Sequence, residues 1–293
     1  IAAAVGRNGK GIVGANPDAL IMPLTVMQSD GTGDVATIIK GIDYAVANGA
    51  DVISMSIGGY GYSVAEEQAL AKAYSKAVLV AAAGNDCLPI NYIDCYCGKT
   101  GAPMYPAAFT FVLGVQATNN AGGRASFSNY DNDGPLLSSF GEERLYNYEL
   151  RAPGVNIMST YPGGKYKQLN GTSMACPMVA GGISRLLQTK EYANKEVLFG
   201  DLIMTHKQVV DFPAVYALTD ADRKPSLSLV TYILKDTIEG DADGKPDAGE
   251  TIALYPTLRN AWGKAENIRF TLETTKNEDP TIVEIIDTVA CFG

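Results

Sequence analysis

The residues best suited to chemistry lie in the run Asn170-Gly171-Thr172-Ser173-Met174-Ala175-Cys176-Pro177. A serine there stands between a Gly-containing turn and a long apolar helix. The spacing predicts that helix over Met174 to Gln188, with Val179, Ile183, Leu186 and Leu187 on one face. A helix N-terminus offers unpaired backbone N–H groups and a partial positive charge. A hydroxyl nucleophile placed there attacks a carbonyl whose developing oxyanion faces those donors. Gly171 permits close backbone approach. Pro177 is expected near the first turn, where a missing N–H costs least. The same pattern also describes a plain N-cap serine ahead of a core helix, and spacing alone leaves both readings open. A serine hydroxyl needs an adjacent base. The sequence holds one histidine, His206, which follows Ser173 and the helix-like stretch Lys195 to Met204. It reads as an ordinary surface or helix-end residue.

Two other clusters could hold ligands. Asp241, Asp243, Asp247 and Glu250 place carboxylates at spacings that could gather around Ca²⁺. Lys245 and Pro246 stand where an EF-hand loop wants an acid and a glycine, so a polar turn ahead of a strand is the other reading. Cys87, Cys95 and Cys97 share a loop-like stretch, with Cys176 and Cys291 elsewhere. Cys95-x-Cys97 lacks the zinc-ribbon spacing. A loop staple, free thiols and a metal site all stay open.

The elements that position these residues alternate in type. Ile21 to Met27, Asp51 to Ile57, Ala77 to Ala83 and Phe109 to Val115 are apolar runs suited to buried strands. Asp34 to Val46, halted by Asn48-Gly49, and Val64 to Lys76 read as helices. Strands that are apolar along their whole length, alternating with helices, imply a parallel sheet covered on both faces. Ligands of such sheets bind beyond the carboxyl ends of the strands, which here end in Gly58-Gly59 and Gly84-Asn85. After about residue 220 the pattern changes. Lys224 to Leu234, Thr251 to Leu258, Asn267 to Thr274 and Thr281 to Asp287 read as strands of a small β-sandwich. These are about four strands, against roughly seven in a full sandwich. The expected domains are residues 1–220 and 221–293.

With 46% apolar residues the chain can build a substantial core. No apolar run reaches the roughly 18–20 residues of a membrane span. A net charge of −9 argues against nucleic acid as a partner. The opening run Ile1-Ala2-Ala3-Ala4-Val5 reads as the middle of a structural element.

Gly171-Thr-Ser-Met-Ala-x-Pro177, followed by Val179-Ala180-Gly181, resembles the nucleophile motif of subtilisin-like serine proteases. Further matches occur in that family's order. Asp30-Gly31-Thr32-Gly33 and Ser56-Ile57-Gly58-Gly59 resemble the two rims of the substrate cleft. Ala81-Ala82-Ala83-Gly84-Asn85 resembles the strand end carrying an oxyanion-hole Asn. Tyr105-Pro106-Ala107, Ala125-Ser126-Phe127-Ser128-Asn129 and Ala152-Pro153-Gly154-Val155 follow. The resemblance covers roughly residues 1–205.

It implies a three-layer α/β fold with a mostly parallel sheet, here incomplete, and acyl transfer from polypeptide substrates through an acyl-enzyme on Ser173. It implies Asn85 as an oxyanion donor. Gly31, Gly33, Ser56, Ile57, Gly58, Ala82, Ala83 and Gly84 would bind substrate, although small residues there also suit tight helix–sheet packing. It implies no required cofactor and an extracellular or cell-envelope location. The chain departs from the family at the triad, because no His precedes Ser173. Ile1-Ala2-Ala3 resembles the later turns of the helix that the family's His opens. The expectation is therefore that the His and Asp lie upstream, and that the 293 residues alone are inactive. Met178 stands where many subtilases carry a second, non-triad His. A non-catalytic peptide-binding module on the same scaffold is the competing expectation.

Overall fold

The deepest strand, β2 (Val78–Ala82), is apolar at every position and buried at every position. Its side chains alternate between two separate cores. Val78, Val80 and Ala82 join one core; Leu79 and Ala81 join the other. That period of two explains why an unbroken apolar run forms a strand between two helical layers. In the computed structural model, which describes residues 1–90, 101–131, 148–192, 194–207, 209–224, 227–239 and 251–260, β2 sits inside a four-stranded sheet. The order is β1 (Val52–Met55), β2, β3 (Leu113–Thr118), β4 (Leu150–Pro153), every neighbouring pair parallel. On one face Ile42 of α1 (Val35–Ala47) and Leu70 and Ala73 of α2 (Val64–Tyr74) pack. On the other face lie Val179 and Ile183 of α3 (Thr172–Thr189) with Leu198 and Leu202 of α4 (Lys195–Thr205). This is the three-layer α/β arrangement expected, with Ile1–Leu218 forming one compact unit.

Local signals account for several boundaries. The Asp34 side chain accepts from the Thr37 N–H at 2.9 Å and starts α1. Asn48 caps its end, and Gly49 follows at φ +75°. A hairpin of β5 (Ile157–Tyr161) and β6 (Lys165–Leu169) turns at Gly163 and Gly164, both at positive φ.

The structure corrects several expectations. Ile21 to Met27 is not a strand. It is largely exposed, and it faces β1 across a cleft of about 1760 Å³ lined by both segments. An apolar run becomes a strand only where another backbone lies at hydrogen-bonding distance. The strand expected over Phe109 to Val115 begins at Leu113 instead. Phe109–Phe111 belong to a turn, where Phe109 N–H donates to Pro106 O at 3.1 Å and the Phe109 and Phe111 rings stack at 5.6 Å. Ile1 to Ala4 is not helical, because Ile1, Ala2 and Ala4 carbonyls accept from Ala15, Asn16 and Gly14. Pro177 lies in the interior of α3, because that helix starts earlier than expected, at Thr172.

Residues Thr219–Gly293 form a second unit, in which β7 (Leu227–Glu239) and β8 (Thr251–Asn260) pair antiparallel. The further strands expected after residue 260, the carboxylates Asp241, Asp243, Asp247 and Glu250, and Cys95, Cys97 and Cys291 lie outside the described residues. Among the described residues, Cys176 is a free thiol, and no helix is long and apolar enough to cross a membrane.

His206 ends a helix, as the C-cap of α4, and is half-buried, with its Nδ1 buried without a hydrogen-bond partner. Burial first, and the Arg151 charge second, push its pKa down to about 4. The unfolded chain takes up this proton near the ordinary value of about 6.5, while the folded chain resists until near pH 4. The unfolded state therefore binds more protons within that window, and stability falls as pH drops through it. The cost from this one group is about 2 kcal/mol by pH 5. Thermal unfolding from pH 7 to 5 should show that loss, and His206→Gln should remove it. A wild-type curve that stays flat over this range would contradict the assignment.

Candidate active site

In a parallel sheet the strand ends and the following helix N-termini gather on one side. Here β2 runs out through Ala83 and Gly84 to Asn85, and α3 starts beside it. Thr172, fully buried, joins the two. Its backbone N–H donates to Asn85 Oδ1 at 2.8 Å, and its hydroxyl donates to the same oxygen at 3.0 Å. The Thr172 hydroxyl in turn accepts from the Gly84 N–H at 3.1 Å. With two donors on its carbonyl oxygen, the Asn85 amide is fixed in rotation, and its NH₂ is turned away from Thr172. Asn85 is exposed and Ser173, the next residue after Thr172, is half-buried. Gly171 caps the helix at φ +152°, a backbone state that L side chains rarely adopt. Ser173 is thus the second residue of α3, among the positions whose N–H groups have no intrahelical acceptor.

Pro177 has a consequence for this serine. Four residues after Ser173, it lacks the N–H that would bond the Ser173 carbonyl. Ser56 Oγ donates to that carbonyl instead, at 3.0 Å. One helical hydrogen bond is replaced by a tie between the Ser173 backbone and the segment after β1. That segment is itself anchored: Gly59 and Tyr105 exchange both backbone hydrogen bonds, at 2.8 and 2.9 Å. Gly58 sits where a Cβ would meet the Tyr105 carbonyl at 2.8 Å. Beneath Ser173, Cys176 is fully buried with its Sγ 3.5 Å from Ser54 Oγ, and burial pushes its thiol pKa up.

The remaining expected site residues are placed differently. Ile57 is half-buried against the α1–α2 core. Ala82 and Ala83 are buried, their methyls in opposite cores. Gly31 and Gly33 lie on an exposed turn ahead of α1. That turn is closed by its own bonds, Gln28 N–H to Thr32 O at 2.7 Å and Thr32 N–H to Asp30 Oδ1 at 2.8 Å. The Thr32 bonds hold the exposed Asp30 carboxyl below its usual range. The structure thus brings Ser173, Asn85, Gly84 and Ser56 together around Thr172, and leaves Gly31 and Gly33 on a separate turn.

The family model described as "Subtilase family" (peptidase S8) matches residues 1–228. The chain belongs to the subtilase family. Among curated relatives, it is 40% identical over 184 residues to Subtilisin DY of Bacillus licheniformis, covering 61% of this chain and 58% of that one. It is 38% identical over 181 residues to Subtilisin of Bacillus pumilus, covering 62% of this chain and 58% of the relative. The match therefore spans less than two thirds of either relative's length. A solved structure titled as proteases from Pseudoalteromonas arctica superposes with a TM-score of 0.61 at 30% identity, covering 74% of this chain and 68% of that one.

Two residues of this subtilase acquire a role that its sequence did not assign. Thr172 lies within the nucleophile motif, yet only the fold shows its hydroxyl holding Asn85, 87 positions away. Asn129 closes the Ala125–Asn129 signpost and is fully buried beside Gly84. A buried Asn in a loop is the available signal, since such an amide must be hydrogen-bonded, but the sequence does not name its partners.

Proposed function

We propose that this subtilase chain is the nucleophile-bearing part of a serine endopeptidase. The observation that carries the reading is the clamp of Thr172 on Asn85 immediately beside Ser173. It leaves an amide NH₂ and the unpaired N–H of Ser173 as two donors next to one hydroxyl. In the proposed reaction, Ser173 Oγ bonds to the carbonyl carbon of a peptide as its proton passes to a base. The oxyanion rests on the Asn85 NH₂ and the Ser173 N–H. The C–N bond then breaks, the amine leaves with the proton, and water releases the acyl group from Ser173. A His oriented by an Asp, supplied by sequence ahead of Ile1, serves as that base. Polypeptides are the substrates, lying extended between the Ser56–Gly59 rim and the Gly31–Gly33 turn. Ser56, Ile57, Gly58, Ala82, Ala83 and Gly84 shape the recess for the side chain at the cut. The peptidase domain spans residues 1–220, and residues 221–293 belong to a partial β-sandwich-like domain. The enzyme acts outside the cell or at its envelope.

One observation favours a non-catalytic peptide-binding module instead. The single His of the 293 residues is packed at the end of α4 against the Arg151 charge. The two readings separate on a fluorophosphonate probe applied to the polypeptide extended upstream of Ile1. The endopeptidase reading expects labelling that disappears with Ser173→Ala. An extended polypeptide that carries the upstream His and Asp but takes no label would favour the binding module.

A further inference from the structure

We infer that Asn129 is a positioning residue for the oxyanion site, its backbone N–H holding the residue before Asn85 and its side-chain amide the residues after it. The inference rests on the endopeptidase reading above. Asn129 is fully buried. Its backbone N–H donates to the Gly84 carbonyl at 3.0 Å. Its side-chain Oδ1 accepts from the Asp86 N–H and the Leu88 N–H, each at 3.0 Å. Its Nδ2 donates to Tyr60 Oη at 2.9 Å. Asn85 is therefore bracketed. Thr172 fixes its side chain, and Asn129 fixes the residues before and after it.

The contact with Gly84 is close enough to constrain the sequence. A Cβ at Gly84 would sit 2.4 Å from Asn129 Nδ2, and Gly84 also holds φ +104°. The buried amide thus occupies the space that a side chain at position 84 would need. The bond to Tyr60 reaches the other wall of the cleft. Tyr60 follows Gly58-Gly59, and its hydroxyl donates to Asp86 Oδ2 at 2.5 Å. The phenol pKa is pushed up to about 12, by burial first and the Asp86 bond second. Tyr60 therefore stays protonated well above neutral pH and keeps donating to Asp86. A closed circuit of Tyr60, Asp86 and Asn129 ties the Ser56–Gly59 rim to the Asn85 loop. A purely structural amide would need only its own hydrogen bonds satisfied. The side chain of Asn129 places its three hydrogen bonds on the loop after Asn85 and on the facing rim.

Oxyanion donors act only when held close to the position of developing charge. Loosening the loop should therefore lower the chemical step more than substrate binding. In the extended polypeptide, Asn129→Ala should lower kcat by about 10- to 100-fold and leave KM within about threefold. Asn129→Asp keeps an acceptor for the Asp86 and Leu88 amides but loses the donor to Tyr60, and should recover part of that kcat. Amide hydrogen exchange of the chain supplies a second readout. Asn129→Ala should expose the Asp86 and Leu88 N–H groups, and Asn129→Asp should leave them protected. If Asn129→Ala does not fold, Asn129→Ser, too short to reach both amides, replaces it under the same criteria. The inference is overturned if kcat stays at the wild-type value while those two amides exchange freely. It is equally overturned if kcat and KM both collapse with no recovery in Asn129→Asp. A Ser173→Ala variant that still cleaves peptides would sink the endopeptidase reading instead, and the exchange experiment would still judge Asn129's hold on the loop.

Discussion

The 293-residue chain by itself is expected to cleave peptides at no measurable rate, and extending it upstream with the His and Asp is expected to raise kcat by about 10⁶-fold. That magnitude is subtilisin's own, measured by deleting its nucleophile or base, and is carried over here to a relative. The reason for the direction is elementary. A serine hydroxyl is a weak nucleophile at neutral pH, and its proton must go to a neighbouring base as the new C–O bond forms. The chain presents a hydroxyl at Ser173 and donors at Asn85, but its single imidazole lies at the end of α4, with a pKa near 4. An imidazole so depressed is also a poor proton acceptor. Oxyanion stabilisation and binding would remain, and in subtilisin these alone leave a residual of about 10³–10⁴ over water. Hydrolysis of a chromogenic peptide by the bare and the extended chain, each with Ser173→Ala and His206→Ala, checks the account. Activity of the bare chain that survives His206→Ala yet vanishes with Ser173→Ala would refute it, because the base would then have to lie elsewhere within these residues.

What the sequence allowed to be read follows from how local each signal is. The helix α1 was legible because its cap, apolar spacing and stop signal all lie within about four turns of one another. β2 was legible because full burial between two layers leaves no polar position along it. Ile21 to Met27 carries the same apolar signal but no strand forms, since pairing depends on a neighbour that periodicity does not reveal. The start of β3 was misplaced because Phe109 and Phe111 join an aromatic cluster from a turn, the first ring buried and the second half-buried. At the site, the motif exposed Ser173 and Asn85, each as one end of an element. It did not expose what ties the two elements together. That depends on hydrogen bonds spanning 87 and 117 residues, from Thr172 to Asn85 and from Ser56 to Ser173. Pro177 shows the same limit. Its place in the interior of α3 looks like a helix fault until Ser56 is seen to satisfy the carbonyl it frees.

The Asn85 amide is expected to be worth about 10²–10³ in kcat, again subtilisin's own figure for its oxyanion Asn rather than one derived from this chain. In the extended polypeptide, Asn85→Ala should lose that factor while KM changes by less than about threefold. The donor acts on charge that exists only in the transition state. Asn85→Asp tests the geometry more sharply. Aspartate keeps an oxygen where Thr172 N–H and Oγ1 donate, at 2.8 and 3.0 Å, so its side chain should settle in the same orientation. Its second oxygen then replaces the NH₂ and places negative charge beside the developing oxyanion. Asn85→Asp should therefore be slower than Asn85→Ala, although it is the closer match in shape. Thr172→Val removes one of the two donors on Oδ1 and leaves the Gly84 N–H without its acceptor. It should cost about tenfold in kcat by letting the amide rotate. The ordering Thr172→Val, Asn85→Ala, Asn85→Asp, from fastest to slowest, is specific to an amide whose carbonyl is clamped and whose NH₂ faces the reacting carbonyl. If Asn85→Asp matched the wild type, the NH₂ could not be pointing at the oxyanion, and the clamp by Thr172 would be packing alone.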